Sequence, residues 1–365
     1  MQALILAGGE GTRLRPLTST VPKPVVPLAG RPFIAYMLDW LHGHGVDDVI
    51  MACGFMAEGV RAVLGEGSFG VRLQYVEEPG PLGTGGPLRF VEHLLDQRFF
   101  MLNGDVLTDI DLTAQLERHE RSGALATLAL IAVDDPTAYG LVRLDQESAV
   151  TDFLEKPDPS EIDTNLVNAG AYILERDVLE FVGPAGTACS IERDVFPKLV
   201  GNGLYGAPAD AYWLDIGTPQ RYLQATADLL TGKVGTELGR AVAAEGIGSV
   251  NGRPAHGLRA PAIVGDGSSI APDATVGPGT VLGAGVTVGA GAEITGSAVF
   301  DGCRIGARTT ISDSIVAAGV TVGEDCRIGA GVVLGSGVQI GARNVLGAGA
   351  RIFPNVELPE GAIKI

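Results

Sequence analysis

Leu4-Ile-Leu-Ala-Gly-Gly-Glu-Gly-Thr-Arg-Leu-Arg-Pro-Leu-Thr18, followed by Pro22-Lys23-Pro24, is the stretch from which the N-terminal fold can be read. The apolar run Ala3 to Leu6 predicts a buried strand that empties into a loop carrying Gly8, Gly9 and Gly11. Glycines there allow positive φ and let backbone N–H groups come close to a ligand. Successive amides of this kind form an anion-binding concavity. Arg13, Arg15 and Lys23 place three positive charges near that loop in sequence. Strand, glycine turn and cations together describe a polyphosphate site. The loop is neither of the two common nucleotide loops: it lacks Gly-Lys-Ser/Thr, and Leu14 stands where a G-x-G-x-x-G pattern needs its third glycine. A lone glycine loop after a strand is often only a tight turn, so the rest of the chain has to decide.

Outward from this stretch, short apolar segments at 2–6, 48–53, 72–76, 98–102, 125–132 and 169–174 predict strands. The amphipathic segments 33–43, 56–65, 86–95, 111–121, 176–182 and 190–201 predict helices. Strands separated by helix-length segments indicate a Rossmann-like α/β arrangement, a mainly parallel sheet covered on both faces. Ligands bind such sheets outside the carboxyl ends of the strands, where the Gly8–Lys23 loop falls.

From Val264 the period changes. An apolar residue recurs every six positions at Val264, Ile270, Val276, Leu282, Val288, Ile294 and Phe300, slips around Ile305 and Ile311, and resumes from Val316 to Leu358. A six-residue period fits neither an amphipathic helix nor a simple sheet. It predicts a parallel β-helix in which three hexapeptides complete a triangular coil. Coils stack about 4.8 Å apart, and each touches mainly its neighbours. The expected organisation is therefore 1–230 as one domain, 231–262 as a Gly/Ala/Pro-rich linker, and 263–365 as the β-helix.

Composition narrows the function classes. At 365 residues about two domains are expected. A net charge of −17 argues against a nucleic-acid polymer or an anionic membrane as partner. Cys53, Cys189, Cys303 and Cys326 lie far apart with no C-x-x-C pair, which reads as reduced cysteines in a cytoplasmic protein. No signal peptide is recognisable, and no window reaches the roughly 18 apolar residues of a membrane span.

The string Leu4–Thr18 with Lys23 closely resembles the signature of sugar-1-phosphate nucleotidyltransferases, enzymes that move a nucleoside monophosphate from an NTP to a sugar phosphate. Further elements match in family order: Asn103-Gly-Asp105, Glu155-Lys-Pro157, Asn168-Ala-Gly170 and Trp213-Leu-Asp-Ile-Gly217. The resemblance implies that Leu6, Ala7, Gly8, Gly9, Gly11, Thr12, Arg13, Lys23, Gly83 and Thr84 hold the nucleotide. It assigns Arg13, Lys23 and Asp105 to catalysis. Gly140, Glu155, Lys156 and Asn168 would hold the hexose-1-phosphate, and Asp105 with Asp215 would bind Mg²⁺. From the residues alone, each aspartate could also be a cap, Glu-Lys-Pro an exposed ion pair and Asn168 a turn residue.

Taken together, Val21-Pro-Lys-Pro24, Gly83-Thr-Gly85, Ser190-Ile-Glu-Arg-Asp-Val-Phe-Pro197 and Trp213–Gly217 look most like the mannose-1-phosphate guanylyltransferase branch, implying GTP and mannose-1-phosphate as substrates. Two departures keep thymidylyl-, uridylyl- and adenylyltransferases of glucose-1-phosphate open. Gly85 replaces the Ala often found in that branch, and Gly104 precedes Asp105 where Ser is common. A catalytically silent regulatory subunit is the alternative from another class. By the same resemblance the repeat region is a left-handed β-helix. Such coils often serve acyltransferases with a catalytic histidine, but no histidine follows Val264, and His256 precedes it. Open ends and flat faces of a β-helix lead to the expectation of a homo-oligomer.

Overall fold

A computed structural model of the chain describes residues 1–238, 240, 248–249 and 257–364. Residues 239, 241–247 and 250–256 of the expected linker 231–262, His256 among them, lie outside the described residues. The chain divides into two compact units, Met1–Glu10 with Ile34–Trp213, and Gly11–Phe33 with Leu214–Ile365.

The first unit is built on a sheet of strands β1 (Gln2–Ala7), β2 (Asp48–Cys53), β3 (Val71–Glu77), β4 (Arg98–Asn103), β5 (Ala126–Ala132), β6 (Gly140–Leu144), β7 (Val150–Glu155), β8 (Leu166–Glu175) and β9 (Leu204–Ala209), with Gly67–Ser68 at the β3 edge. The order runs β7-β6-β8-β4-β1-β2-β3, and β5 pairs with both β8 and β9. β1, β2, β3 and β4 form the expected parallel centre. β8 then runs antiparallel to β4 and extends the sheet through β5, β6 and β7. The strand–helix alternation of the sequence did not show the β6–β7 hairpin or β9. Helices α1 (Phe33–Gly43), α2 (Ala57–Leu64) and α3 (Leu112–Ser122) form where expected. Asp111 caps α3 by accepting from Ala114 N–H, and Gly123 ends it in the left-handed region.

The other predicted helices are broken. Segment 86–95 is a short helix, Gly86–Phe90, followed by a 3₁₀ turn, and 176–182 is a 3₁₀ helix. Segment 190–201 opens as a π turn, Ile191–Val195, with Phe196 N–H donating to Ile191 C=O, before the turn Phe196–Leu199. Pro197 supplies no N–H to the turn before it, so the local hydrogen bonding is already interrupted there.

The second unit holds the coil. Its short strands form three parallel sheets, consistent with the left-handed β-helix. Ser269 pairs with Thr287, eighteen residues on, but Thr287 pairs with Arg304 and Arg304 with Thr321, seventeen residues on each time. The apparent slip in the repeat is therefore two shortened sides, Ile294 to Val299 and Ile311 to Val316. This corrects one position: Val299, not Phe300, faces the core, while Ile305 and Ile311 stay in register. At the two short corners Ser297 and Ser314 are fully buried, and Ser314 N–H donates to Ser297 Oγ at 3.1 Å.

One sheet of the coil is apolar outside as well as inside. Its outward residues Val281, Ala298, Ile315 and Val333 are buried, whereas Thr287, Arg304, Glu293 and Arg327 on the other two are exposed. The next outward position on the apolar sheet is Arg351. The coil meets the rest of its unit through Phe300, whose ring lies 6.3 Å from that of Tyr222 on helix α4 (Pro219–Leu230). It meets it also through Ser336, whose Oγ lies 3.3 Å from Thr20 Oγ1.

Candidate active site

In the first unit, β1 carries Leu6 and Ala7 to the carboxyl edge of the sheet, in register with Asn103 and Cys53 respectively. Gly8 follows in a tight place. A Cβ on Gly54 would lie 2.7 Å from Gly8 C=O, and a Cβ on Gly8 would lie 3.0 Å from Glu78 Oε1. Glu78 went unnoticed in the sequence because it belongs to no glycine or cation pattern. Burial pushes its pKa above the ordinary glutamate value, with the Leu82 backbone opposing. Asp105 stands just past β4, where Gly104 N–H donates to Leu6 C=O at 2.9 Å. A side chain on Gly104 would strike that same carbonyl. Asp105 is thereby held beside the start of the glycine loop.

In the second unit the loop continues with Gly11, at φ +61, opening the 3₁₀ turn Thr12–Leu14. Thr18, fully buried, donates through Oγ1 to Gly11 C=O at 2.8 Å. A Cβ on Gly11 would meet Thr18 and the Lys23 stem, so this glycine lets the lysine pack flat against the loop. Lys23 is only 9% exposed, an expensive place for a cation unless it is compensated. Arg13 lies with its guanidinium over Gly217: a Cβ there would be 2.7 Å from Nη2. The short strand Trp213–Asp215 ends two residues earlier, so Asp215 and Arg13 are brought to the same part of this unit.

Gly83 and Thr84 have partners within the protein. A Cβ on Gly83, which has φ +73, would lie 2.5 Å from Cys189 C=O, and Gly85 N–H donates to that oxygen at 2.8 Å. Thr84 Oγ1 donates to Glu192 Oε2 at 2.5 Å and accepts from Ile191 N–H at 3.0 Å. The glycines of this loop thus allow close approach to the Cys189–Glu192 segment, a role the sequence reading did not foresee.

The four sugar-phosphate candidates come together at the antiparallel end of the sheet. Gly140 pairs with Glu155, and a Cβ on Gly140 would meet Phe153 Cζ at 2.8 Å and Glu155 Oε2 at 3.1 Å. Lys156 follows at φ +55 with its N–H donating to Tyr139 C=O. Asn168 donates to Tyr172 Oη at 2.8 Å and accepts from Gly170 N–H. Burial, then the nearby Glu192 carboxylate, raises the pKa of Glu155, with Lys156 and Arg193 opposing. Burial likewise drives the Tyr172 phenol far above its usual range. Asn103 Oδ1 is buried with no hydrogen-bond partner among the described residues. Tyr139 packs edge-on to Trp213 at 5.1 Å, and Trp213 Nε1–H donates to Ala169 C=O. Glu192, Tyr172 and Asn103 were missed because only three-dimensional pairing brings them to this cluster.

Among the described residues no group of three or more His, Cys, Asp or Glu side chains could cage a metal. The donors on offer, Asp105 and Asp215, are oxygen ligands in the small number that Mg²⁺ takes when phosphate oxygens and water fill its other positions. No helix among the described residues is long and apolar enough to cross a membrane.

Residues 2–232 match the nucleotidyl transferase family, and residues 258–364 match the GMPPB C-terminal domain. The mannose-1-phosphate guanylyltransferase of Mycobacterium tuberculosis is 38% identical over 85% of this chain and 83% of its own length. A probable mannose-1-phosphate guanylyltransferase of Oryza sativa is 34% identical over 88% of each chain. Among solved structures, HddC from Yersinia pseudotuberculosis, crystallised with GMP-PN, superposes with a TM-score of 0.53 at 29% identity, over 61% of this chain and 97% of that one. The chain belongs to the nucleotidyl transferase family and carries the GMPPB-type C-terminal domain behind it.

Proposed function

We propose that the chain joins GTP and mannose-1-phosphate to give GDP-mannose and pyrophosphate, with residues 1–230 as the catalytic domain and 263–365 as a β-helical tail. The observation that carries this reading is similarity to guanylyltransferases that extends across both domains, at 38% identity for the M. tuberculosis protein. Glu78 supports the choice of base. Guanine has two adjacent donors, N1–H and N2–H, on its pairing edge, and a carboxylate offers two acceptors. Glu78 stands against Gly8, with Oε1 3.0 Å from where a Cβ on that glycine would lie. A base with a mixed donor–acceptor edge would leave one carboxylate oxygen facing an acceptor.

In the reaction, an oxygen of the sugar phosphate bonds to the α-phosphorus as the bond to the β-phosphate oxygen breaks, and pyrophosphate leaves with that electron pair. The protein's task is positioning and charge stabilisation. Gly8, Gly9 and Gly11 offer backbone amides to the phosphates, and Arg13 and Lys23 offset the charge that develops on the leaving pyrophosphate. Glu155 and Asn168 hold the hexose hydroxyls, Lys156 holds its phosphate, and the open acceptor of Asn103 suits a hydroxyl donor. Asp105 and Asp215 would hold Mg²⁺, which supplies screening between the two polyanions when bound. We place the protein in the cytoplasm, since all four cysteines are free and buried. We also propose a homo-oligomer through the β-helix. One outward face of the coil is already buried within the chain, which leaves its two other outward faces, the coil ends and Phe353, 52% exposed, to form the contact. A monomer by light scattering would rule this out.

The test is pyrophosphate release with Mg²⁺, crossing GTP, dTTP, UTP, ATP and CTP with mannose-1-phosphate and glucose-1-phosphate. Preference for GTP with mannose-1-phosphate is expected. Preference for dTTP, UTP or ATP with glucose-1-phosphate would move the chain to another branch, and silence throughout would favour a regulatory subunit. Glu78→Gln should lower kcat/KM for GTP about 10- to 100-fold while changing that for ATP little. An equal loss with every nucleotide would remove Glu78 from base selection.

A further inference from the structure

The β-helix reaches back to the signature loop through one side chain. Arg351, at the outward position of a late coil, donates from Nη1 to Arg13 C=O at 3.1 Å and to Arg15 C=O at 2.9 Å. The two carbonyls flank Leu14, whose own N–H donates to Gly11 C=O at 2.9 Å. The Arg13–Leu14 peptide is therefore held at both ends, by the loop on its N–H side and by the coil on its carbonyl side. The Arg15–Pro16 peptide has no N–H at all, so its carbonyl is the only backbone group by which it can be hydrogen-bonded. Arg351 takes that group too.

Position in the coil makes this contact an exception. The preceding outward residues of the same sheet, Val281, Ala298, Ile315 and Val333, are apolar and buried, and the sequence changes to arginine where the sheet reaches Arg13 and Arg15. A guanidinium can serve two acceptors at fixed geometry, which an ammonium on a flexible stem does less well. We infer that Arg351 is a positioning residue for the signature loop: it fixes the backbone from which Arg13 projects, and through it the β-helix sets the geometry of the nucleotide phosphates. Arg351 itself touches no substrate in this scheme. The kinetic part of the inference rests on the proposed role of this loop in binding the NTP; the conformational part does not.

The experiment compares full-length wild type with Arg351→Ala, Arg351→Lys and, as a control, Arg327→Ala, an exposed outward arginine on another sheet of the coil. Backbone hydrogen exchange without substrate reads the loop directly, and steady-state kinetics read its use. In Arg351→Ala, peptides covering residues 11–20 should exchange about tenfold faster, while peptides from the coil core stay at wild-type rates. KM for the nucleotide should rise about 5- to 20-fold with KM for the sugar phosphate nearly unchanged. Arg351→Lys should recover part of both effects, and Arg327→Ala should match wild type. Unchanged exchange at 11–20 overturns the clamp. Faster exchange with unchanged nucleotide kinetics overturns its positioning role, as does an equal loss in Arg327→Ala. Should wild type itself be silent with every nucleotide, the functional reading fails, while the exchange result still decides whether Arg351 holds the loop.

Discussion

Glycine at the open corners of the coil and glycine at the candidate site serve different ends. At Gly285, Gly319 and Gly349 in the coil, φ lies between +65 and +76 and an added Cβ would meet nothing within 4 Å. These residues only let a corner turn. At Gly83, Gly140 and Gly170 in the first unit, an added Cβ would lie 2.5 to 2.8 Å from Cys189 C=O, Phe153 Cζ and Asn103 Nδ2 respectively. There the missing side chain makes room for a particular neighbour. Corners of the coil also accept other residues: Arg308, Asp325, Arg343 and Asn355 all sit at positive φ. Open corners such as these are cheap to lose, whereas at Gly283, Gly306 and Gly323 of the same coil a Cβ would lie 2.2 to 2.5 Å from atoms of the next coil, and those positions are not. The site makes each of its decisions once.

The largest expected effect concerns a residue whose role is chemical. Asp105→Ala should lower kcat/KM on the order of 10²- to 10³-fold, the scale of losing one electrostatic contact to a transition state. Its thermal midpoint, measured alongside, separates lost chemistry from lost structure. Activity near wild type would remove Asp105 from the machinery. A large drop in the midpoint would mean that the site, too, is mainly structural.

A matched pair of substitutions tests the glycine contrast itself. Gly83→Ala places a methyl against the carbonyl that receives Gly85 N–H, so relief requires moving the 82–86 loop away from Cys189. Both activity and stability should fall, with a stability loss of roughly 2–4 kcal/mol. Gly285→Ala has open space around it and bears only the left-handed penalty of about 1 kcal/mol. Its kinetics should match wild type. Urea unfolding and pyrophosphate release on both variants measure the difference, and equal losses would end the distinction drawn between the two regions.

The same contrast explains what the sequence could and could not reveal. The six-residue repeat was legible because burial is imposed again at each coil; Val276, Leu282 and Val288 repeat one choice. Its phase was misread only at Phe300, where a five-residue side moves the core position to Val299 and releases the phenyl ring to meet Tyr222. The parallel strands and helices α1 to α3 were likewise visible as runs of apolar or amphipathic residues. Site residues in motifs, such as Arg13, Lys23, Asp105 and Glu155, could be named from local strings. Glu78 and Tyr172 stand in no such string, and Asn103 and Glu192, although inside Asn103-Gly-Asp105 and Ser190–Pro197, take their places only through pairings such as Glu192 with Thr84 across 108 residues of chain. Arg351 is the extreme case, hydrogen-bonded to Arg13 across 338 positions.

Glu155 gives the smallest effect and separates stability from function most cleanly. Its carboxyl is pushed above the ordinary glutamate value of 4.5, first by burial and then by Glu192. A raised pKa in the folded state means that folding favours the protonated form. The stability tied to that proton is full below about pH 4.5 and is lost as pH rises through the folded pKa. Glutamine carries no such loss. Glu155→Gln should therefore melt higher than wild type at about pH 8, with the gap narrowing as pH falls toward 5, while turnover drops because the carboxylate that would accept the sugar hydroxyls is gone. Scanning calorimetry at the two pH values reads the sign. A gap that widened on acidification would mean the ionised carboxylate is stabilised where it stands, and burial as the dominant influence on Glu155 would have to be abandoned.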